Sequence, residues 1–160
     1  MRTINKIYIH CTANSVDSNG QSKLTVNDID KFHRSKGWQC CGYHLVVTTK
    51  GEIQRGRADE MIGAGVTGDN SNSLHLAYIG GLDVKGKNAD TRNKEQKEAI
   101  CKAVSEWMKK YNIPITNVFG HYQAASAKKV GKTCPNFKIE DFRKELEEYI
   151  KGNKCPLCGK

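Results

Sequence analysis

Nowhere does the chain hold an apolar run near the roughly 18 residues that a membrane-crossing helix requires, so no span is expected. The opening residues Met1-Arg2-Thr3-Ile4-Asn5-Lys6 lead straight into a strand-like run and lack the apolar segment of a secretory leader. Synthesis in the cytoplasm without a signal peptide is the expectation. Internal repeats are also missing. Acids are the scarcer charge, 17 Asp and Glu against 26 Lys and Arg, giving a net charge of +9. Such a surplus steers anionic partners. Yet the bases are dispersed, apart from pairs such as Lys109-Lys110 and Lys128-Lys129, and no basic helix or aromatic-basic ladder marks a nucleic-acid reader. A solvated surface is the first reading of this charge, and attraction to a polyanion the second.

A disulfide framework is lacking too. The seven cysteines (Cys11, Cys40, Cys41, Cys101, Cys134, Cys155 and Cys158) are odd in number and irregularly spaced, with no leader before them. Buried thiols, metal ligands or nucleophiles remain as their roles.

What is present is ordinary for one globular domain: 160 residues, 38% hydrophobic and 27% charged. Residues 4–10 alternate and read as a first strand, with Ile7 and Ile9 on one face. Thr25 with Asp28 three residues on opens a helix that Lys36-Gly37 ends. Residues 43–48 form a second strand that turns at Lys50-Gly51 into a third at 52–54, and 74–79 form a fourth. Ile100, Val104, Trp107 and Tyr111 recur at helical spacing over residues 95–111. A short strand at 118–119, an irregular loop over 122–138 and a last helix over 139–151 complete the chain. The fold class is α/β: a single domain, residues 1–151, with a central mixed β-sheet flanked by helices, and a tail at 152–160.

His10 ends the first strand, His121 the last, and Cys134 lies in the loop that follows. Strand ends and loops are where open α/β sheets place their sites. Two imidazoles and a thiolate supply three of zinc's four tetrahedral positions; a fourth left to water makes such a site catalytic. Spacing alone does not single these three out, because a given His or Cys is more often a packing residue.

Local context does more. Ile7-Tyr8-Ile9-His10-Cys11-Thr12-Ala13, Gly42-Tyr43-His44-Leu45-Val46, Gly120-His121-Tyr122 and Gly131-Lys132-Thr133-Cys134-Pro135-Asn136-Phe137 occur in that order. With Phe32-His33-Arg34-Ser35-Lys36-Gly37-Trp38 and Asn70-Ser71-Asn72-Ser73-Leu74, the sequence from about residue 4 to 145 resembles the type-2 N-acetylmuramoyl-L-alanine amidases. The resemblance implies an amidase/peptidoglycan-recognition fold. It also implies Zn2+ held by His10, His121 and Cys134, with Tyr43 and Lys132 assisting catalysis. The bond cut would join N-acetylmuramic acid to L-alanine in peptidoglycan, the partner. A phage or prophage endolysin, or a related wall-remodelling enzyme, is the type implied, reaching the wall after release or assisted export. A monomer is expected.

An ammonium at Lys132 suits an oxyanion, and the Tyr43 hydroxyl suits orienting water or donating to that oxyanion. Which of Tyr43, Lys132 or the activated water delivers the proton to the leaving nitrogen stays open. By position alone, Tyr43 is a strand aromatic and Lys132 a solvated charge. Strand alternation sends His44 to the face opposite Tyr43 and Cys11 to the core. His44 reads as structural or one step behind the ligands, and His33 as a packing residue.

Two positions depart from the family pattern. Relatives often carry histidine where this chain has Gly65, and a small residue where it has His75. The expectation is an altered groove wall that tunes substrate choice and leaves metal retention alone; a plain strand residue is the other reading of His75. The competing functions are a non-catalytic peptidoglycan-binding module of the same fold, which typically lacks the cysteine, and a structural zinc or nucleic-acid protein. Cys155-Pro156-Leu157-Cys158 suggests the latter: it is shaped like one half of a zinc ribbon, and a frayed terminus is its plainer reading.

Overall fold

Every residue of the first strand from Ile7 to Cys11 is buried in the computed structural model, which describes residues 2–153. Burial on both faces is the mark of a strand inside a parallel sheet. The elements in chain order are β1 (Lys6–Cys11), β2 (Asn14–Ser15), α1 (Val26–Ser35), β3 (Leu45–Val47), β4 (Ile53–Arg55), β5 (Ser73–Tyr78), β6 (Gly81–Leu82), α2 (Lys94–Tyr111), β7 (Val118–Gly120), α3 (Ala125–Lys129) and α4 (Ile139–Gly152). Short 3-10 turns occupy Ile115–Asn117 and His121–Gln123.

The main sheet runs β4-β3-β5-β1-β7, parallel throughout except for the antiparallel β3–β4 hairpin at its edge. It is therefore mixed, with β1 and β5 at its centre. The single domain expected from the sequence is the one found. β2 and β6 form a separate two-stranded ribbon that the sequence did not announce, because two-residue pairs carry no periodicity.

Alternation along the strands divides the side chains between two layers. Ile7, Ile9, Leu45, Val47, Leu74, Leu76 and Tyr78 pack on one face against Ile100, Val104 and Trp107 of α2 and Phe142 and Leu146 of α4. Burying each such Ile or Leu contributes about 1.5–3 kcal/mol. The other face is thinner: Val46 and Ile79 meet Ile29 of α1, and Tyr8 meets Ala127 of α3. His10 lies on this second face, one alternation on from Tyr8.

The helix starts follow local hydrogen bonding. Asp28 accepts from the Thr25 N–H at 2.8 Å, and the Asn93 side chain accepts from the Gln96 N–H at 2.8 Å while Gln96 reaches back to the Asn93 N–H at 3.2 Å. Asn112, with φ of 53°, ends α2 in the left-handed region. The segment 122–138, expected to be irregular, contains α3, whose run Ala-Ser-Ala-Lys-Lys has no apolar stripe to betray it. None of the described helices is long and apolar enough to cross a membrane. Cys155 and Cys158 of the tail lie outside the described residues.

Candidate metal centre and groove

Parallel pairing of β1 with β7 sets Ile9 beside Gly120, so the residues that follow them, His10 and His121, emerge together. Their ring centroids are 4.7 Å apart. Cys134 comes from a loop that must be pulled back to reach them. The Tyr122 N–H donates to the Cys134 carbonyl at 2.9 Å, the Tyr78 hydroxyl to the Pro135 carbonyl at 2.7 Å, and the Asn136 amide to the Gly81 carbonyl at 2.7 Å. Gly81 can serve there only as glycine: its φ is +98°, and a Cβ would stand 2.5 Å from the Cys11 Sγ. One more bond closes the arrangement, from the Cys11 N–H to the Cys134 Sγ at 3.1 Å.

The result is three donor atoms, from His10, His121 and Cys134, all within 4.8 Å of one another. A tetrahedron with zinc's bond lengths has edges of about 3.3–3.8 Å, so small movements would close the set on an ion. Burial holds the His10 imidazole well below its ordinary pKa, with His75, His121 and Lys132 adding to the effect. Burial first and the Lys132 ammonium second push His121 down to about 4. Both rings are therefore neutral near pH 7, as ligands must be. The neighbouring Cys11 thiol and burial push the Cys134 thiol up, so a thiolate there calls for a cation beside it. Two neutral imidazoles and one thiolate form a donor set that suits zinc.

The cluster opens on a groove of about 1130 Å³ whose lining includes Tyr43, His121, Lys132 and Cys134. Tyr43 is half-buried, its ring 5.1 Å from His10 and 5.4 Å from His33. Burial, reinforced by Cys134, pushes its hydroxyl pKa up and keeps it a donor. Lys132 is exposed and has no ion-pair partner among the described residues, yet its charge is felt at both His10 and His121. His33 accepts from the Gly42 N–H at 2.8 Å and is a packing residue, as read.

The structure corrects two of the sequence readings and extends another. First, β3 begins only at Leu45, so strand alternation does not separate Tyr43 from His44. Tyr43 tilts against His10, and His44 stacks on His75, on the same side of the sheet. Second, Cys11 is core, as expected, and its backbone N–H also meets the Cys134 sulfur, a contact no side-chain pattern could reveal. Third, His75 is no part of a groove wall. It is fully buried, its Nδ1 3.0 Å from the Nε2 of His10. Alternation with Leu74, Leu76 and Tyr78 set its face; only the β1–β5 register, Tyr8 beside His75, brought it to His10.

Known proteins resemble this chain in sequence and in fold. A family model described as N-acetylmuramoyl-L-alanine amidase matches residues 1–137. The endolysin of Escherichia phage T7 is 27% identical over 141 residues, covering 88% of this chain and 86% of that protein. Among solved structures, the N-acetylmuramoyl-L-alanine amidase LysC from Clostridium intestinale superposes with a TM-score of 0.73 at 24% identity, covering 91% of this chain and 87% of the other. Drosophila peptidoglycan recognition protein SD has a TM-score of 0.67 at 22% identity, covering 85% and 76%.

Proposed function

The chain belongs to the N-acetylmuramoyl-L-alanine amidase family, and on that premise we propose that it hydrolyses the amide between N-acetylmuramic acid and L-alanine in peptidoglycan, using Zn2+ held by His10, His121 and Cys134. The observation that carries this reading is the convergence of the three donor atoms within 4.8 Å beside an open groove. An endolysin or wall-remodelling role, acting on the cell wall, goes with it.

When bound, zinc supplies Lewis acidity toward the scissile carbonyl and a hydroxide nucleophile at neutral pH. The protein's own groups do the rest. His10 and His121, kept neutral, offer their nitrogen lone pairs. The Cys11 N–H supports negative charge on the Cys134 sulfur. Lys132, exposed on the groove, stabilises the charge that develops on the carbonyl oxygen, and the protonated Tyr43 hydroxyl donates to the same region. Lys36, whose ammonium lies 5.3 Å and 4.9 Å from the Phe32 and Trp38 rings, adds positive charge to a groove with exposed apolar walls at Phe32 and Val130. That mixture suits a glycopeptide bearing carboxylates and methyl groups.

The test is release of new amino termini from purified peptidoglycan, with zinc per chain measured on the same sample. Release that scales with zinc supports the reading. Tight wall binding with no release would favour the recognition-module alternative, against which the presence of Cys134 argues.

A further inference from the structure

We propose that His75 is a positioning residue for the metal centre: its Nδ1 fixes which nitrogen of His10 faces the ion. The assignment rests on the zinc reading above and adds a residue to it.

The bonding pattern follows from counting hydrogens. His10 Nε2 lies 3.0 Å from His75 Nδ1, so His10 Nδ1 is the nitrogen left for an ion. A neutral imidazole carries one N–H. With the Nδ1 lone pair given to the metal, that hydrogen sits on Nε2 and is donated to His75 Nδ1. His75 then carries its own hydrogen on Nε2, a buried atom with no partner among the described residues. An unpartnered polar atom disfavours the folded state, so a ring kept there points to the task of its other nitrogen. Metal-bound histidines depend on such a partner for tautomer and ring orientation.

The ring is held for that task. His44, His75 and Tyr8 form a row across the sheet, with centroids 5.8 Å apart on each side and rings within 11° and 12° of parallel. His44 is fixed in turn: its Nδ1 accepts from the His75 N–H at 3.0 Å, and its Nε2–H donates to the Met61 carbonyl at 2.8 Å. Room for the ring comes from glycine. A Cβ at Gly63 would lie 2.7 Å from His75 Cδ2, and one at Gly65 would lie 2.4 Å from Nδ1, the atom that pairs with His10. Gly65 and His75 thus act as a unit.

A purely structural His75 would need only its ring, whereas a positioning His75 needs an acceptor at Nδ1. Two substitutions separate these. His75→Phe keeps an aromatic ring without nitrogen, and His75→Asn places an amide oxygen near the Nδ1 position. Zinc affinity, measured by competition with a chromophoric chelator, is the readout. His75→Phe should weaken zinc by about 10–100-fold, and His75→Asn should recover most of that loss. Gly65→Ala should weaken zinc when His75 is present and add nothing in a His75→Ala background. Wild-type affinity in His75→Phe, or equal losses in Phe and Asn variants, would overturn the assignment and leave the zinc reading standing. A wild-type chain that binds no zinc would sink both.

Discussion

The backbone N–H of Cys11 donates to the Sγ of Cys134 at 3.1 Å, joining residues 123 apart in sequence. The bond ties the strand that carries His10 to the loop that carries the third donor, so the cluster is fixed from both ends. Cys134 is otherwise half-buried and packs at the edge of the core, outside its fully buried set.

Cys134→Ala should therefore abolish zinc binding and amide hydrolysis with little change in the stability of the metal-free chain. Zinc per chain, turnover on peptidoglycan and a urea midpoint in chelator check the three parts. Retained zinc at one equivalent would mean that the donor set has been misread.

Lys132→Ala should lower kcat by about 10²–10³ with KM little changed, as expected for a donor that meets charge formed only in the transition state. Tyr43→Phe should act in the same direction and more mildly. Steady-state kinetics on a defined muropeptide distinguish this from substrate capture, which would raise KM and spare kcat.

Stability should fall on acidification. Burial holds His10 well below the ordinary imidazole pKa, His44 near 4 and His75 near 3, with smaller contributions from neighbouring charges. Between those values and about 6.5 the unfolded chain binds protons that the folded chain does not. Stability is thus complete above about pH 6.5 and lost as pH drops toward 4, by up to about 1.4 kcal/mol per pH unit for each ring. Urea midpoints of the metal-free chain at pH 7.5 and 5.0 measure it; a flat profile would show that these rings are protonated in the fold.

Periodicity made the long elements legible. Ile100, Val104 and Trp107 placed α2 to within a residue, and Thr25 with Asp28 placed the start of α1. The sequence could not show where regular structure stops: Tyr43 and His44 lead directly into the apolar, β-branched run of residues 45–48, yet β3 starts after them. The positions of His10, His121 and Cys134 at strand ends and in a loop were readable; their convergence depended on the β1–β7 register and on a backbone bond to sulfur. His75 was unreadable for the same reason, since strand pairing is a long-range property that local pattern does not carry.

Arg92 offers a test of how the Cys134 loop is supported. Its side chain is 2% exposed, pairs with Asp90 at 2.9 Å and Glu145 at 3.2 Å, and stacks 3.6 Å from the centroid of Phe137. Arg92→Ala removes the buried member and leaves two part-exposed acids that can rehydrate, so the loss should stay below the about 3–5 kcal/mol of a stranded buried charge. A cost of about 2–3 kcal/mol in urea unfolding is expected, mostly from lost packing on Phe137. A neutral effect would show that the loop is held by its backbone bonds alone.

The most direct measurement follows new amino termini released from purified peptidoglycan while zinc is stripped from the chain and then returned. Chelation should abolish release, and about one equivalent of zinc per chain should restore it, in wild type and not in Cys134→Ala. Full release by a zinc-free chain would contradict the account, because His10, His121 and Cys134 would then converge for some other purpose.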